Sequence, residues 1–264
     1  MSFIATSFMF DETPGELYNL YLARLEGGGV MGQAGTSDVE LRTQSIFKRP
    51  APYLLGVSDR PVLEFEIEMA SPDEVSAEDA QLIQRWLFGR QNYKKLQIIQ
   101  EDMQSVYFNC FLTQPRMVKV GGMIHGFKAR VVCDSPFAWE FEKTLTKTYT
   151  DPEVSDSFVF NNTGDMRSYL YVNVVITMNN SGGDLTITNT NDNDREFTFT
   201  GLSADEVLTV NNDLKILTSS TGLRRLSTFN KNWLRVIQGV NTLEVVGNVA
   251  SLVFTYSFPR KIGG

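Results

Sequence analysis

Val62-Leu63-Glu64-Phe65-Glu66-Ile67-Glu68-Met69 is the stretch that decides the class of fold. Leu63, Phe65, Ile67 and Met69 alternate with three glutamates. Successive side chains of an extended chain point to opposite faces, so this spacing sets an apolar face against a charged one. The stretch reads as a half-buried strand. Related runs at Leu96-Gln97-Ile98-Ile99, Ser105 to Leu112 and Gly126 to Cys133 are separated by the turn-forming pairs Gln114-Pro115 and Gly121-Gly122. The first half is therefore expected to be mainly an antiparallel sheet. One segment departs from it. Ser76-Ala77-Glu78-Asp79 offers a capping hydroxyl with an acid three residues on, and Leu82, Ile83, Trp86 and Leu87 then recur at helical spacing. This predicts one amphipathic helix packed on the sheet, with Trp86 in the core. Gly89 is the expected stop, because glycine tolerates the left-handed conformation that often ends helices.

Around residues 146 to 157 the composition shifts to Thr, Lys, Asp and Ser with Pro152, which reads as a linker. The expected domains are residues 1–147 and 148–264. In the second, short apolar runs such as Tyr169 to Met178, Leu185 to Thr188, Glu196 to Thr200, Glu206 to Val210, Trp233 to Ile237 and Leu252 to Phe258 are parted by Gly, Asn and Asp. That pattern predicts a β-sandwich of jelly-roll type. The fold class is thus mainly β: an N-terminal antiparallel β domain with one packed α-helix, then a C-terminal β-sandwich.

The chain has 264 residues, 42% of them hydrophobic, enough for a substantial core. A formal charge of -7 and a pI near 4.9 argue against a nucleic-acid-binding surface, which needs clustered Lys and Arg. The start, Met1-Ser2-Phe3-Ile4-Ala5-Thr6-Ser7-Phe8, carries no basic leader, so synthesis in a cytoplasm is expected. No apolar run reaches the roughly 18 residues that read as a membrane helix, so no membrane insertion is expected. Cys110 and Cys133 each sit in an apolar alternating run and read as buried thiols.

Candidate motifs resolve into structure rather than chemistry. Gly27-Gly28-Gly29-Val30-Met31-Gly32 matches the dinucleotide fingerprint in letters, but Gln33-Ala34-Gly35-Thr36-Ser37-Asp38 follows in place of an amphipathic helix. Asn189, Asn191 and Asn193 alternate like the start of a calcium loop, yet Asp194 stands at the required glycine and Thr200 at the bidentate acid. A hairpin turn is the better reading. His125, the single histidine, lies beside Gly121-Gly122 and reads as a turn residue. One histidine and two cysteines cannot complete a structural zinc site without carboxylates. Neither an enzyme nor a cofactor is expected.

Several stretches, in this order, resemble the distal tail protein family of long, flexible-tailed phages. They are Ile83-Gln84-Arg85-Trp86-Leu87-Phe88-Gly89, Tyr93-Lys94-Lys95-Leu96-Gln97-Ile98, Tyr107-Phe108-Asn109-Cys110, Val120-Gly121-Gly122, Gly126-Phe127 and Cys133-Asp134-Ser135-Pro136-Phe137-Ala138-Trp139. In the second half, Phe160-Asn161-Asn162-Thr163-Gly164, Phe197-Thr198-Phe199-Thr200-Gly201-Leu202 and Trp233 followed by Gly239-Val240-Asn241-Thr242-Leu243 are similar to the family's galectin-like sandwich. Gln238 stands where proline is common before that glycine. The resemblance implies a structural protein of the virion tail tip. Its first domains would form a hexameric ring between the tail tube protein and the tail-associated tip protein. Its second domains would project outward to support receptor-binding or other baseplate proteins. The lumen would pass the tape-measure protein and then DNA, without specific binding.

Three sets of residues are candidates within that picture. Phe8 and Phe10, with the Gly27 to Gly35 loop, are expected at the ring interface. Glu64, Glu66 and Glu68 either line the lumen as a carboxylate wall that repels DNA or face outward solvent. Screening would limit such a wall to roughly 8 Å at physiological salt. Tyr169, Tyr171 and Trp233 either pack in the core or supply stacking for a sugar, which makes a carbohydrate-binding module the alternative function.

Overall fold

The structure, a computed structural model, describes residues 7–23, 39–59, 62–100, 103–151 and 153–262. It divides into two compact units, Met1–Glu140 with Arg260–Gly264, and Phe141–Pro259. The two short glycine-rich proposals of the sequence, the Gly27 to Gly35 loop and its fingerprint, lie outside the described residues.

In the first unit the elements are β1 (Ser7–Phe10), β2 (Thr13–Pro14), β3 (Tyr21–Leu22), β4 (Val39–Gln44), β5 (Tyr53–Asp59), β6 (Glu64–Val75), α1 (Ala77–Phe88), β7 (Lys94–Ile99), β8 (Val106–Val120), β9 (Met123–Cys133) and β10 (Ala138–Glu140). The main sheet runs β2-β1-β7-β8-β9-β6-β3. Its neighbours are antiparallel. The alternation read from residues 62 to 69 is the burial pattern of β6: Phe65, Ile67 and Met69 are buried, Glu64 and Glu66 exposed. Helix α1 begins as expected, with the Ser76 hydroxyl accepting the Asp79 N–H. It buries Ala80, Ile83, Trp86 and Leu87. Leu82 lies off that stripe and is 46% exposed. Gly89 does end the helix, but with φ of -84°, not left-handed. A Cβ there would meet the Arg85 carbonyl oxygen at 2.6 Å, so close backbone approach is what requires glycine.

Trp86 is the centre of this core. It is 6% exposed, stacks on Tyr18 at 4.7 Å and on Phe8 at 6.1 Å, and donates its indole N–H to the Phe10 carbonyl at 3.2 Å. Cys110 and Cys133 are buried free thiols and stand opposite each other on β8 and β9. Burial, with the neighbouring Asp134 and Glu64 charges, pushes the Cys133 thiol up to about 12, and Cys110 is also raised.

The second unit contains β11 (Lys143–Thr148), β12 (Val154–Asn162), β13 (Tyr169–Tyr171), β14 (Asn173–Met178), β15 (Gly183–Asn189), β16 (Arg195–Leu202), β17 (Val207–Asn211), β18 (Ile216–Ser219), β19 (Arg235–Ile237), β20 (Gly239–Gly247) and β21 (Val249–Tyr256). One sheet is β11-β21-β14-β17-β18, the other β12-β20-β15-β16. Phe158 of β12 meets Phe254 of β21 at 5.6 Å and Phe160 meets Tyr256 at 4.8 Å, so the two sheets face each other across an aromatic core. The expected linker at 146 to 157 is mostly strand: β11 pairs with β21 along its length and β12 with β20. The Asn189 to Asp194 segment is the expected hairpin turn between β15 and β16, with Asn193 and Asp194 at positive φ.

A buried ion pair fixes the far loop of this unit. Arg225 donates to both oxygens of Glu206 and to the Gly201 carbonyl and Ser203 hydroxyl, and Ser219 donates to Glu206 as well. Burial raises the Glu206 carboxyl, but the hydrogen bonds from Arg225, Ser219 and the Ser203 N–H outweigh it and hold it at about 2.

Candidate functional site

Phe8 and Phe10, expected at a ring interface, are not available for one. Both are 0% exposed and point into the core around Trp86, and their strand is paired on both sides, by β2 and β7. The two phenylalanines lie on the inner face of a paired sheet strand, not on an open edge. The protein's open apolar surface lies elsewhere, on β4 and β5. Among the described residues these pair only with each other, from Val39 opposite Asp59 to Gln44 opposite Tyr53. Apart from Gly56, every residue from 40 to 57 is exposed, including Leu41, Phe47, Leu54 and Leu55 at 59, 89, 60 and 65%. By register Leu41, Val57 and Leu54 share one face, Leu55 sits at a bulge, and Tyr53, opposite Gln44, lies on the other face, so both faces of the hairpin carry apolar groups. The Arg49 guanidinium lies 3.6 Å from the centre of the Tyr53 ring. Sequence reasoning passed over this hairpin, although Val39-Glu40-Leu41-Arg42 alternates and Tyr53-Leu54-Leu55 is an apolar run.

Glu64, Glu66 and Glu68 do share the polar face of β6, but they do not form a bare carboxylate wall. Their register partners on β9 are Val132, Arg130 and Lys128. Lys128 pairs with Glu68 at 2.6 Å, and Arg130 pairs with Glu64. Glu66 makes no ion pair among the described residues. Cross-strand register therefore turns a run of three acids into a ladder of alternating charge.

The structure brings Tyr169, Tyr171 and Trp233 together at the edge of the core, where Trp233 meets the buried Phe229 edge to face at 4.9 Å. β13 and β19 form a two-stranded ribbon in which Tyr169, Leu170 and Tyr171 stand opposite Ile237, Val236 and Arg235. Leu170, Val236 and the preceding Leu234 are buried. The opposite face carries Tyr169, Tyr171, Trp233 and Arg235, because period-two alternation separates the two sets. Tyr169 is 38% exposed, and Tyr171, Trp233 and Arg235 are half-buried. The two tyrosine rings meet edge to face at 5.3 Å. Lys215 Nζ sits 3.0 Å from the Tyr171 ring centre and 5.3 Å from that of Trp233, and the Arg235 guanidinium lies 4.2 Å from the Tyr169 ring. Arg235 is held by Asp192, its Nε at 2.6 Å. The cation-aromatic partners Lys215 and Arg235 were not foreseen, since their spacing from the tyrosines along the chain carries no periodic signal.

Among the described residues, no group of three His, Cys, Asp or Glu is placed to hold a metal ion, and no helix is long and apolar enough to cross a membrane.

Residues 3–135 match a family model described as a phage tail protein N-terminal domain, and residues 137–256 one described as a phage tail C-terminal domain. No curated protein matches the chain by sequence. Among solved structures, it is similar to the crystal structure of the SPP1 Dit (gp 19.1) protein, described as a paradigm of hub adsorption apparatus in phages infecting Gram-positive hosts. The TM-score is 0.72 at 14% identity, over 96% of this chain and 99% of that one. A chain of the phage p2 baseplate in its activated conformation with Sr is similar at a TM-score of 0.53 and 11% identity, over 86% and 88% of the two chains. At such identities the likeness is one of fold.

Proposed function

Because the chain belongs to the phage tail protein family, and folds as a distal tail protein does, we propose that it is a hub subunit at the tail tip. In this reading, copies of the first unit close into a ring of six that joins the tail tube protein to the tail-associated tip protein. The second unit supports the adhesion apparatus, including receptor-binding proteins. The role is structural, the protein is made in the bacterial cytoplasm, and DNA passes the lumen without specific binding. The net charge of -7 supports that last point.

The observation that carries the reading is the β4–β5 hairpin. Monomeric soluble proteins seldom display contiguous apolar surface of this kind, and where it occurs it marks an interaction site. A two-stranded hairpin is at best marginally stable alone, so one with no buried side chain gains most from a neighbour. A closed ring needs each protomer to offer two different complementary surfaces, each stable contact burying on the order of 800 Å² per partner. The hairpin supplies one of them. If β6 faces the lumen, Glu66 contributes a single unpaired carboxylate per protomer, enough to discourage adhesion of DNA without a strong field.

Light scattering with negative-stain imaging tests the reading. A hexamer with a central hole is the expected result. The double substitution Phe47→Asp, Leu54→Asp is expected to give a monomer with unchanged melting temperature. A double variant that still assembles would overturn the assignment of the hairpin.

A further inference from the structure

The outer face of the β13–β19 ribbon has the composition of a ligand site and not of a stabilising patch. Two features separate these. First, its cations are pre-positioned: Lys215 rests on Tyr171 beside Trp233, and Arg235 rests on Tyr169 while pairing with Asp192. Cations held on aromatic faces lose less freedom when they bind an anion than cations on free side chains. Second, the face holds donors that the protein itself leaves unused. Arg195, the first residue of β16, stands opposite Asn189, whose amide donates to the Arg235 carbonyl. This places Arg195 at the same end of the unit as Arg235 and Asp192. Its guanidinium makes no hydrogen bond or ion pair among the described residues, and its Nε is buried without a partner. The Trp233 indole N–H is likewise unbonded among the described residues.

Asp192 is taken by Arg235, and Asp213 acts on Lys215, while Arg195 also acts on Lys215 as a like charge. Arg195 is thus a guanidinium with no ion pair among the described residues, beside an ammonium and an exposed edge of aromatic surface. Planar guanidinium groups match carboxylates and phosphates, and an indole face matches the C–H face of a pyranose ring. We propose that this face binds an acidic saccharide, with its carboxylate or phosphate on Arg195 and Lys215 and a sugar ring against Trp233. Arg235 and Asp192 would exchange hydrogen bonds with hydroxyls at the rim. The inference stands on the second unit alone and does not depend on ring formation.

The test uses the full-length protein in titration calorimetry, with light scattering on the same sample so that loss of assembly and loss of binding are read separately. The probes are tetragalacturonate, a mannose pentasaccharide carrying a 6-phosphate, the neutral counterpart of each, and inorganic phosphate. One or both charged saccharides should bind, and which one does identifies the acid group. Each neutral counterpart should bind about tenfold more weakly or worse, and inorganic phosphate should compete poorly. Arg195→Gln removes no hydrogen bond or ion pair among the described residues and should keep the melting temperature while weakening binding about tenfold or more. Trp233→Leu should weaken the charged and neutral saccharides alike. Absence of binding by both charged probes, binding unchanged in Arg195→Gln, or equal binding of inorganic phosphate and the saccharides would overturn the proposal, leaving the face to a protein neighbour.

Discussion

Two narrow ribbons stand outside the main sheets, and they differ in what lies behind them. The β13–β19 ribbon is only three residues wide on each strand, yet Leu170 and Val236 anchor one face in the core of the second unit. The β4–β5 hairpin is longer and has no such backing among the described residues, for its apolar residues are exposed on both faces. Backbone pairing alone does not stabilise a two-stranded element in water. A ribbon with a buried face is complete in its own protomer and is free to offer its outer face to a ligand. A hairpin without one gains most from a neighbouring surface.

The contrast can be broken most directly at Leu170. Leu170→Ala should cost ~2–5 kcal/mol, because it opens a cavity under the ribbon, and urea denaturation of the purified protein measures it. Acid should act next. Glu206 lies below its ordinary range, so its contribution is fully present above about 4.5 and is lost as the pH falls towards about 2. Calorimetry at pH 5 and pH 2.5 should therefore show the second unit losing stability at the lower pH, and an unchanged transition would mean that the Arg225 pair contributes nothing. The smallest effect belongs to the hairpin: Leu54→Ala should change monomer stability by no more than about 0.5 kcal/mol, as for other exposed positions. A larger loss in the monomer would show that the hairpin is already backed.

The parts of the fold legible in the sequence were those where burial and periodicity coincide. Leu63 to Met69 announces β6, and the spacing of Ile83, Trp86 and Leu87 announces α1, because each pattern records one face against one core. The end of β11, residues 146–148, falls in the expected linker because Lys143-Thr144-Leu145-Thr146-Lys147-Thr148 is an edge strand with mostly exposed side chains, and lysine is common where an edge must resist further pairing. The site was legible only in part. Tyr169, Tyr171 and Trp233 were picked out as aromatics, but their gathering depends on the pairing of residue 171 with residue 235, and Lys215 arrives from a third segment. The three glutamates misled for the same reason: Lys128 and Arg130 lie some sixty residues away in sequence and adjacent in register.

Glu140 and Arg260 form an ion pair at 2.6 Å, and they are the residues at which the chain leaves the first unit and returns to it. The second unit is thus an insertion whose two attachment points are side by side. Such a joint is indifferent to what is grafted on it, provided that the graft's own ends lie close together. Recombination between tails could exchange residues 141–259 in one event while the main sheet path β2-β1-β7-β8-β9-β6-β3 stays in place, with only the pairing of β10 to the strand Pro259–Arg260 to be restored. The chain is built so that its inserted unit can be swapped without re-engineering the unit that it interrupts.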